Sequence, residues 1–454
     1  MRWRSLVQDV LGVRAVRSGL WRSARQLSIS LRRYRRLEDE AHEVRERLER
    51  NILRAGLRLM KGDRAALEEN VRQRAVSVDL EKLYQLQSEY FGLNGHLQTL
   101  RQQRNINIHA QSKDQKSVLE RAMYPLVSLL PNTSHPLSPV GGYENVKVIR
   151  THGNKPVFDF PVRSHVDIAE SLGLVDFSSA AKASGRRFYY LTGAAALLEL
   201  ALVQYAMHKA CGKGFSPVIT PDIVRTGVVE GCGFHPRGEA TQVYALHHHH
   251  GHLSLSGTAE VPLAGMFIEK TLTVDQLPVR LVAFGRSYRA ESGGAGRAVK
   301  GLYRVHQFSK VELFAVTETD EGDGGEGGVL DEMVALQEEI CADLGLHYRV
   351  LEMPTGELGG PAHRKLDVEV WMPGRAEFGE VCSASDCGSF QSQRLGIRTV
   401  DRGERSYAHT LNATACAVPR TIIAILENHQ MKDGSVVVPP VLHPYLPPDC
   451  HHIM

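Results

Sequence analysis

The stretch from Phe284 to Phe314 places the tightest constraint on how this chain folds. β-Branched and aromatic residues flank a central run of Gly, Ala, Ser and basic residues, which predicts two β-strands joined by a loop. Burying arginines and carboxylates together costs several kcal/mol unless a ligand or partner satisfies them, so the pattern predicts either a ligand-binding hairpin or an exposed one with surface salt bridges. The side chains that share a face on each strand are Arg289 and Glu291 on the first, and Arg304, Phe308 and Glu312 on the return strand.

The order of residues in this hairpin resembles a known motif. Arg-x-Glu, a loop and then Gly-Leu-Tyr-Arg-Val-His-Gln-Phe-x-Lys-Val-Glu are similar to the motif 2 hairpin of class II aminoacyl-tRNA synthetases, and in detail to that of seryl-tRNA synthetases. The resemblance implies that Arg289 is catalytic and contacts the α-phosphate of ATP and the substrate carboxylate. It implies further contacts by Glu291 with the adenine amino group, Arg304 with the γ-phosphate, Val305 with the nucleotide through its backbone, Phe308 with the adenine ring, and Glu312 with the substrate ammonium.

A second segment with a polar pair is Thr258-Ala259-Glu260, close to a glycine turn. A hydroxyl and a carboxylate in this position suit a small polar amino acid, and the Thr-x-Glu segment of the resembled family implies serine binding by Thr258 and Glu260. The alternative from the residues alone is a turn in which the threonine hydroxyl opens the following helix.

A third segment, Gly379 to Ser383, is similar to the family's Glu-x-Ser-Ser, with Cys382 in place of the first serine. The resemblance implies that Glu380 and Ser383 bind ATP and hold the Mg²⁺ that accompanies it, since a carboxylate is a hard oxygen ligand. The alternative is an ordinary strand end.

The fourth segment runs from Thr410 to Gln430, where Pro419-Arg420 opens an apolar helix. It resembles motif 3, and the resemblance implies that Arg420 is catalytic and packs over the adenine of ATP, opposite Phe308. Thr414 matches a serine-binding position of the family, and Asn412 lies beside it.

The N-terminus predicts a mitochondrial transit peptide over residues 1–36. This segment holds ten arginines, no lysine and Asp9 as its only acid, with apolar residues interspersed. A basic RNA-binding arm is the alternative. The remaining chain has no run of 18 or more apolar residues, so the sequence predicts no membrane span.

Residues 37–130 resemble the helical tRNA-binding arm of seryl-tRNA synthetases. Apolar residues spaced 3 and 4 apart predict a coiled-coil seam of Leu83, Leu86, Tyr90, Leu93, Leu97 and Leu100. A helix over residues 79–110 would extend about 48 Å, whereas a return helix over 112–130, which contains Pro125, would extend about 28 Å. The sequence therefore predicts a shortened return helix.

The rest of the chain predicts a Pro/Gly-rich linker over residues 131–146 and an α+β catalytic domain over residues 147–454. Its apolar helix, Ala194 to Lys209, followed by a proline-stopped strand, resembles motif 1, which implies a homodimer. Seven scattered cysteines without a CxxC pair favour a reduced compartment and predict neither disulfides nor a structural zinc.

The joint order of these motifs predicts a class II synthetase fold, an antiparallel sheet behind an N-terminal coiled-coil arm. The resemblance implies a ligase that forms seryl-adenylate from L-serine and ATP and transfers serine to the 3′ end of tRNA(Ser) in the mitochondrial matrix. The alternatives are a non-catalytic paralogue that binds RNA or protein, another class II synthetase, and an enzyme that adenylates serine without tRNA.

Overall fold

The computed structural model describes residues 43–102, 106–235, 243–248, 251–290, 301–318 and 327–454. The chain divides into two units, Met1–Arg47 and Leu48–Met454. The first unit is described only at residues 43–47, which are helical. The predicted transit peptide, residues 1–36, lies outside the described residues, and so does Glu291. The packing and the pockets described below belong to the second unit.

The helices are numbered in chain order. They are α1 (43–59), α2 (Arg64–Gln73), α3 (Leu80–Gln102), α4 (Ile106–Leu129), α5 (His165–Ser171), α6 (Phe177–Ala183), α7 (Ala194–Gly212), α8 (Thr226–Gly231), α9 (Glu260–Gly265), α10 (Val329–Asp343), α11 (Phe390–Leu395) and α12 (Val418–Asn428). Short 3₁₀ turns lie at Tyr143–Asn145, Val274–Gln276, Thr355–Glu357, Pro440–Tyr445 and Pro448–Cys450.

The strands are numbered in the same way. They are β1 (Lys147–His152), β2 (Val175–Asp176), β3 (Tyr190–Leu191), β4 (Ser216–Ile219), β5 (Ile223–Arg225), β6 (Ala245–His248), β7 (Gly251–Leu255), β8 (Thr271–Thr273), β9 (Val279–Tyr288), β10 (Gln307–Thr317), β11 (Tyr348–Glu352), β12 (Arg364–Met372), β13 (Glu377–Asp386), β14 (Arg398–Asp401), β15 (Glu404–Tyr407), β16 (His409–Ala417), β17 (Val436–Val437) and β18 (His452–Ile453).

The N-terminal helices pack around an apolar cluster of their own. Leu83 of α3 is fully buried in it together with Met123 and Val127 of α4. Tyr90, which follows Leu83 on α3, donates a hydrogen bond of 3.2 Å to Glu120, which precedes Met123 on α4. The two helices therefore run antiparallel, and the predicted seam lies on their packed side at Leu83, Leu86, Tyr90, Leu93 and Leu97, whereas the side chain of Leu100 is not described.

The predicted difference in helix length is wrong. Helix α3 has 23 residues and ends at Gln102, and α4 has 24 residues and begins at Ile106. No glycine or proline lies between residues 101 and 109, so the strongest helix-ending residues are absent there, and asparagine at 105 and 107 is the weaker signal that the prediction overlooked. Pro125 lies inside α4 without ending it.

The predicted α+β fold is confirmed by an eight-stranded sheet of order β1-β11-β12-β13-β16-β10-β9-β4. Its neighbours pair antiparallel except β4 and β9, which are parallel. Helices α7, α10 and α12 share one apolar cluster with the sheet. Alternate residues of β10, namely Val311, Leu313 and Ala315, join that cluster, so the residues between them point to the opposite face.

Among the described residues, no helix combines the length and apolar character needed to cross a bilayer.

Candidate active site

The hairpin predicted from the sequence is formed by β9 and β10. Phe308 lies opposite Ser287, and the backbone N–H of Arg289 donates to the carbonyl of His306 at 2.9 Å. The Arg289 guanidinium lies 5.3 Å from the centre of the Phe308 ring. The register therefore brings a cation and an aromatic ring together on one face, opposite the apolar cluster.

The alternative of an exposed, salt-bridged hairpin does not fit the burial. Glu312 is 1% exposed and Lys310 is 5% exposed, and Arg289 is half-buried. Arg304, at the start of the return segment, is the exposed member. Glu291 lies in the loop 291–300, outside the described residues, so its predicted adenine contact stays a prediction.

One pocket collects residues from three of the sequence segments. It joins the hairpin to β13 and to the start of α12, so positions more than a hundred residues apart meet in it. The predicted residues that line it are Arg289, Arg304, Val305, Phe308, Glu380, Ser383, Thr414 and Arg420. Sequence reasoning missed Leu302, Tyr303, Lys310 and Cys382, which also line it.

Arg420 is held in a fixed orientation at the edge of this pocket. Pro419 occupies the start of α12, so Arg420 leaves the first turn of the helix toward β13. Its Nη1 donates to the carbonyl of Glu380 at 2.9 Å, its Nε donates to the carbonyl of Tyr303 at 3.3 Å, and its guanidinium lies 4.6 Å from the Tyr303 ring. A guanidinium held at three points presents a flat face to a ligand.

The Glu380 carboxylate is ionised in this setting. Partial desolvation alone would raise the pKa of Glu380, but the positive charges of Arg420, Lys365 and Arg289 outweigh it and hold the pKa well below its ordinary value. The nearest contact is with Arg420 Nη1, at 3.2 Å. A carboxylate that stays charged at neutral pH is the form that binds a divalent cation.

The residues around Glu380 fit a magnesium ion that arrives with phosphate oxygens. Asp367 of β12 pairs with Ser383 of β13, and its Oδ2 accepts from Lys365 Nζ at 2.8 Å, whereas its Oδ1 is buried without a hydrogen-bond partner. Hard oxygen donors therefore lie side by side on two strands. Within the described part of the chain, no three His, Cys, Asp or Glu side chains form a metal site by themselves.

A second pocket adjoins the first and shares Arg289, Arg304, Lys310, Glu380 and Ser383 with it. The other predicted residues that line it are Thr258, Glu260, Glu312 and Asn412. Thr414 lines the first pocket and donates to Glu312 Oε2 at 3.2 Å, so it lies at the junction of the two.

Thr258 combines the two interpretations that the sequence left open. Its hydroxyl accepts from the backbone N–H of Glu260 at 3.4 Å, immediately before α9, as a helix-opening turn requires. It also lines the second pocket. The turn thus fixes where Glu260 enters the cleft.

Two buried carboxylates, Glu260 and Glu312, line this second pocket. Glu312 Oε2 accepts from Lys310 Nζ at 2.6 Å, and Glu260 Oε1 accepts from Asn412 Nδ2 at 3.1 Å and from Gln391 Nε2 at 2.5 Å. Burial, and then the charge of Glu312, raises the pKa of Glu260 to about 7. The cleft therefore offers two hydrogen-bond acceptors of high electron density, one of which titrates near neutral pH.

Lys310 and Gln391, neither of which was predicted as a site residue, differ in how far the sequence could have revealed them. Lys310 lies two residues before Glu312 on the same strand, so period-two alternation places it on the ligand face. Gln391 lies in α11, 131 residues from the carboxylate that it contacts, and no spacing rule connects the two.

Comparison with known proteins gives a consistent result. A family model described as the tRNA synthetase class II core domain (G, H, P, S and T) matches residues 244–429. The mitochondrial serine--tRNA ligase of Mus musculus is 44% identical over 401 residues, which is 87% of this chain and 75% of that protein. The serine--tRNA ligase of Rubrobacter xylanophilus is 40% identical over 418 residues, which is 86% of this chain and 97% of that protein.

Solved structures of similar fold agree with this. The seryl-tRNA synthetase of Pyrococcus horikoshii complexed with ATP has a TM-score of 0.76 at 32% identity and covers 88% of this chain and 99% of its own. The cytoplasmic serine-tRNA ligase of Naegleria fowleri in complex with AMP has a TM-score of 0.74 at 26% identity and covers 87% of this chain and 96% of its own.

Proposed function

This chain belongs to the seryl-tRNA synthetase family, and we propose that it activates L-serine with ATP and transfers serine to the 3′ end of tRNA(Ser) in mitochondrial translation. One observation carries the proposal. The first pocket, which contains Arg289, Phe308 and Arg420, is continuous with the second pocket, which contains the buried acceptors Glu260 and Glu312. Activation requires these two ligands to lie side by side.

We propose that ATP occupies the first pocket, whose arginines match its negative charge. The adenine ring lies between the Phe308 ring and the Arg420 guanidinium, where a cation over a ring system contributes about 1 to 2 kcal/mol when desolvated. Arg289 and Arg304 neutralise the phosphates, and their planar guanidinium groups match pairs of oxygens in a way that lysine does not. Glu291 and the backbone of Val305 complete the nucleotide contacts.

Magnesium belongs to this step as a companion of ATP. Glu380 and Ser383 would hold it, and it would supply charge neutralisation on the phosphates. The chain's own contribution is to keep Glu380 ionised through Arg420 and to fix the strand pair that carries it.

The second cleft orients the amino acid for attack. Glu312 accepts from the substrate ammonium, and Thr258, Glu260, Asn412 and Thr414 surround its side chain. The substrate carboxylate faces Arg289, at the boundary shared by the two pockets. One carboxylate oxygen then bonds to the α-phosphorus of ATP as the bond to the β-phosphate bridging oxygen breaks, and pyrophosphate leaves. The chemistry depends mainly on positioning and charge neutralisation.

The helical hairpin α3–α4 is the proposed contact for tRNA(Ser). Residues 37–130 form the tRNA-binding arm, 131–146 the linker and 147–454 the catalytic domain. The two helices of the arm are of nearly equal length.

A homodimer is proposed from the surface of α7 and β4. β4 is an edge strand of the large sheet, and its Ile219 is 98% exposed. Leu197 and Leu200 of α7 are 36% and 56% exposed. Exposed apolar side chains on an edge strand and on a neighbouring helix are typical of an interface, and a second copy of the chain would cover them.

Residues 1–36 are the proposed transit peptide, and the mitochondrial matrix is the proposed compartment. The Arg-rich, acid-poor composition supports this. So does the similarity to mitochondrial serine--tRNA ligases of Mus musculus and Bos taurus, both 44% identical.

ATP–pyrophosphate exchange tests the proposed function. The purified chain is assayed with L-serine and, separately, with threonine, alanine, glycine and proline, and serine is expected to give the highest kcat/KM. Zero exchange by a folded dimer would favour the non-catalytic paralogue, and preference for another amino acid would favour a different class II activity. Serine exchange without charging of tRNA(Ser) would indicate an enzyme that adenylates serine for another purpose.

A further inference from the structure

Gln391 occupies a position behind the proposed amino-acid cleft that the reaction described above does not use. It is completely buried, belongs to the short helix α11 and does not line either pocket. Its three hydrogen bonds reach three separate parts of the chain, the loop after α8, the start of α9 and strand β16. A fully satisfied polar side chain in such a place fixes its partners relative to one another.

The direction of the Gln391 amide follows from its partners. Its nitrogen lies 3.4 Å from the backbone carbonyl of Cys232, which can only accept. Its oxygen must therefore face Thr410, whose hydroxyl donates to it at 2.7 Å. The same nitrogen lies 2.5 Å from Glu260 Oε1, so Gln391 donates to this carboxylate and cannot accept from it.

Glu260 is thereby held by one of its two oxygens. Oε1 accepts from Gln391 and from Asn412 Nδ2. The hydrogen bonds among the described residues give Oε2 no protein partner, and Glu260 lines the cleft. Glu312 repeats this arrangement, since its Oε2 accepts from Lys310 and Thr414. Each carboxylate thus presents one oxygen to a substrate donor.

We infer that Gln391, supported by Thr410, is a positioning residue for amino-acid selection, which acts by fixing the Glu260 carboxylate so that one oxygen faces the ammonium or hydroxyl group of serine. This inference rests on the proposed function. Without the Gln391 donor, Glu260 loses one of two hydrogen bonds to Oε1, and a carboxylate buried beside Glu312 turns away or takes up a proton. Either change removes an oriented acceptor from the serine side of the cleft and leaves the nucleotide side intact.

Steady-state exchange kinetics of point variants test the inference. Gln391→Met keeps the length and apolar volume of the side chain and removes its hydrogen bonds. We expect it to raise the KM for L-serine about tenfold or more, the size expected for losing a hydrogen bond to a charged group, and to leave the KM for ATP within about twofold. Thr410→Val is expected to raise the serine KM by about threefold, since the amide keeps its other two partners.

Gln430→Met is the matched control. Gln430 is also buried and bonds to the backbone of Arg163 and Glu427, and none of these three residues lines either pocket. Its replacement is expected to lower the melting temperature and to leave both KM values unchanged.

The double variant Glu260→Ala/Gln391→Met separates a direct role from an indirect one. If Gln391 acts through Glu260, the double variant has the serine KM of Glu260→Ala alone. Additive rises in KM would overturn the inference, as would a serine KM within about twofold of wild type in Gln391→Met, or equal rises for serine and ATP. If Gln391→Met does not fold, Thr410→Val is judged by the same criteria. A wild-type chain without serine-dependent exchange would overturn the proposed function and this inference together.

Discussion

At the scale of single residues, the site depends on carboxylates whose charge is set by their neighbours. Glu380 lies beside the guanidinium of Arg420 and stays ionised, whereas Glu260 is buried near Glu312 and titrates close to neutral pH. A glutamate carboxylate is therefore ionised in the first pocket and titrates near neutral pH in the second. In the proposed reaction, Glu380 would hold the metal that accompanies ATP, and Glu260 would accept a hydrogen bond from the amino acid.

The raised pKa of Glu260 predicts a pH-dependent effect on stability. In the folded chain this pKa is about 7, compared with about 4.3 for an unperturbed glutamate. Between these values the folded state binds more protons than the unfolded state, so ionisation of Glu260 costs stability as the pH rises through this window. Glu260→Gln removes that cost and should be more stable relative to wild type at pH 8 than at pH 5, by on the order of 2 kcal/mol.

Thermal melts of wild type and Glu260→Gln at the two pH values provide the measurement. The difference in melting temperature between the proteins should grow from pH 5 to pH 8. A difference that is equal at both values, or larger at pH 5, would contradict the raised pKa.

At the residue scale, a motif that fixes both residue type and spacing predicted which side chains meet. The described residues that we propose for ATP, from Arg289 to Arg420, line one pocket. Lys310 was accessible to the same reasoning through strand alternation. Gln391 was not, because its contact with Glu260 depends on how α11 packs behind α9, which no local pattern encodes.

At the scale of secondary-structure elements, the back of the hairpin is tied to helix α7. Glu199 of α7 is 7% exposed and accepts from Arg286 Nη1 at 2.8 Å and from the Ser309 hydroxyl at 2.6 Å. Arg286 of β9 and Ser309 of β10 are directly opposite in the register. One carboxylate thus joins both strands of the hairpin to the helix that we propose at the dimer interface.

Removing this carboxylate should loosen the hairpin from behind. Glu199→Ala leaves Arg286 without its carboxylate partner and, among the described residues, with only the Ser309 hydroxyl at Nη1. We expect a loss of about 1 to 3 kcal/mol in the free energy of unfolding, limited because the Arg286 side chain is 39% exposed. Urea unfolding of Glu199→Ala, Arg286→Ala and the double variant forms the test. The double variant should be more stable than the sum of the single effects predicts, and strict additivity would show that the pair is not coupled.

Element-scale prediction from the sequence was uneven for a physical reason. The hairpin was predicted because charged and apolar side chains alternate along its two strands and a glycine-rich segment separates the strands. The end of α3 at Gln102 was missed because no glycine or proline lies between residues 101 and 109. Leu83 and Leu97 are buried, as the heptad spacing predicted. A heptad repeat can be read from the sequence because it depends only on which positions are apolar.

At the scale of the whole molecule, the large sheet separates an apolar core from the ligand cleft. Helices α7, α10 and α12 cover one face, and the two pockets open on the other. The strand order was not predictable from the sequence, because β16 inserts between β13 and β10 although it follows both in the chain. β4 is one of the two edges of this sheet and carries the exposed Ile219, on which the dimer proposal rests.

The dimer proposal predicts the effect of a charge placed in that surface. Leu200→Asp should convert the dimer to monomers, because burying an unpaired carboxylate in an apolar interface costs several kcal/mol. Val157→Asp is the control, since Val157 is 96% exposed and lies outside α7 and β4. Sedimentation equilibrium distinguishes the outcomes. A monomeric wild-type chain, or a Leu200→Asp variant that dimerises normally, would contradict the proposed interface.

The most direct test of the central claim, that the β9–β10 hairpin activates serine, is serine-dependent ATP–pyrophosphate exchange by wild type, Arg289→Ala and Arg280→Ala. Arg280 lies on the same strand but pairs at the surface with Glu332, at 2.9 Å. We predict robust exchange by wild type, exchange by Arg280→Ala within about twofold of it, and a fall of about a thousandfold or more in Arg289→Ala, the scale expected when a charge-stabilising group at the reacting phosphate is lost. Retained exchange in a folded Arg289→Ala variant would contradict the account.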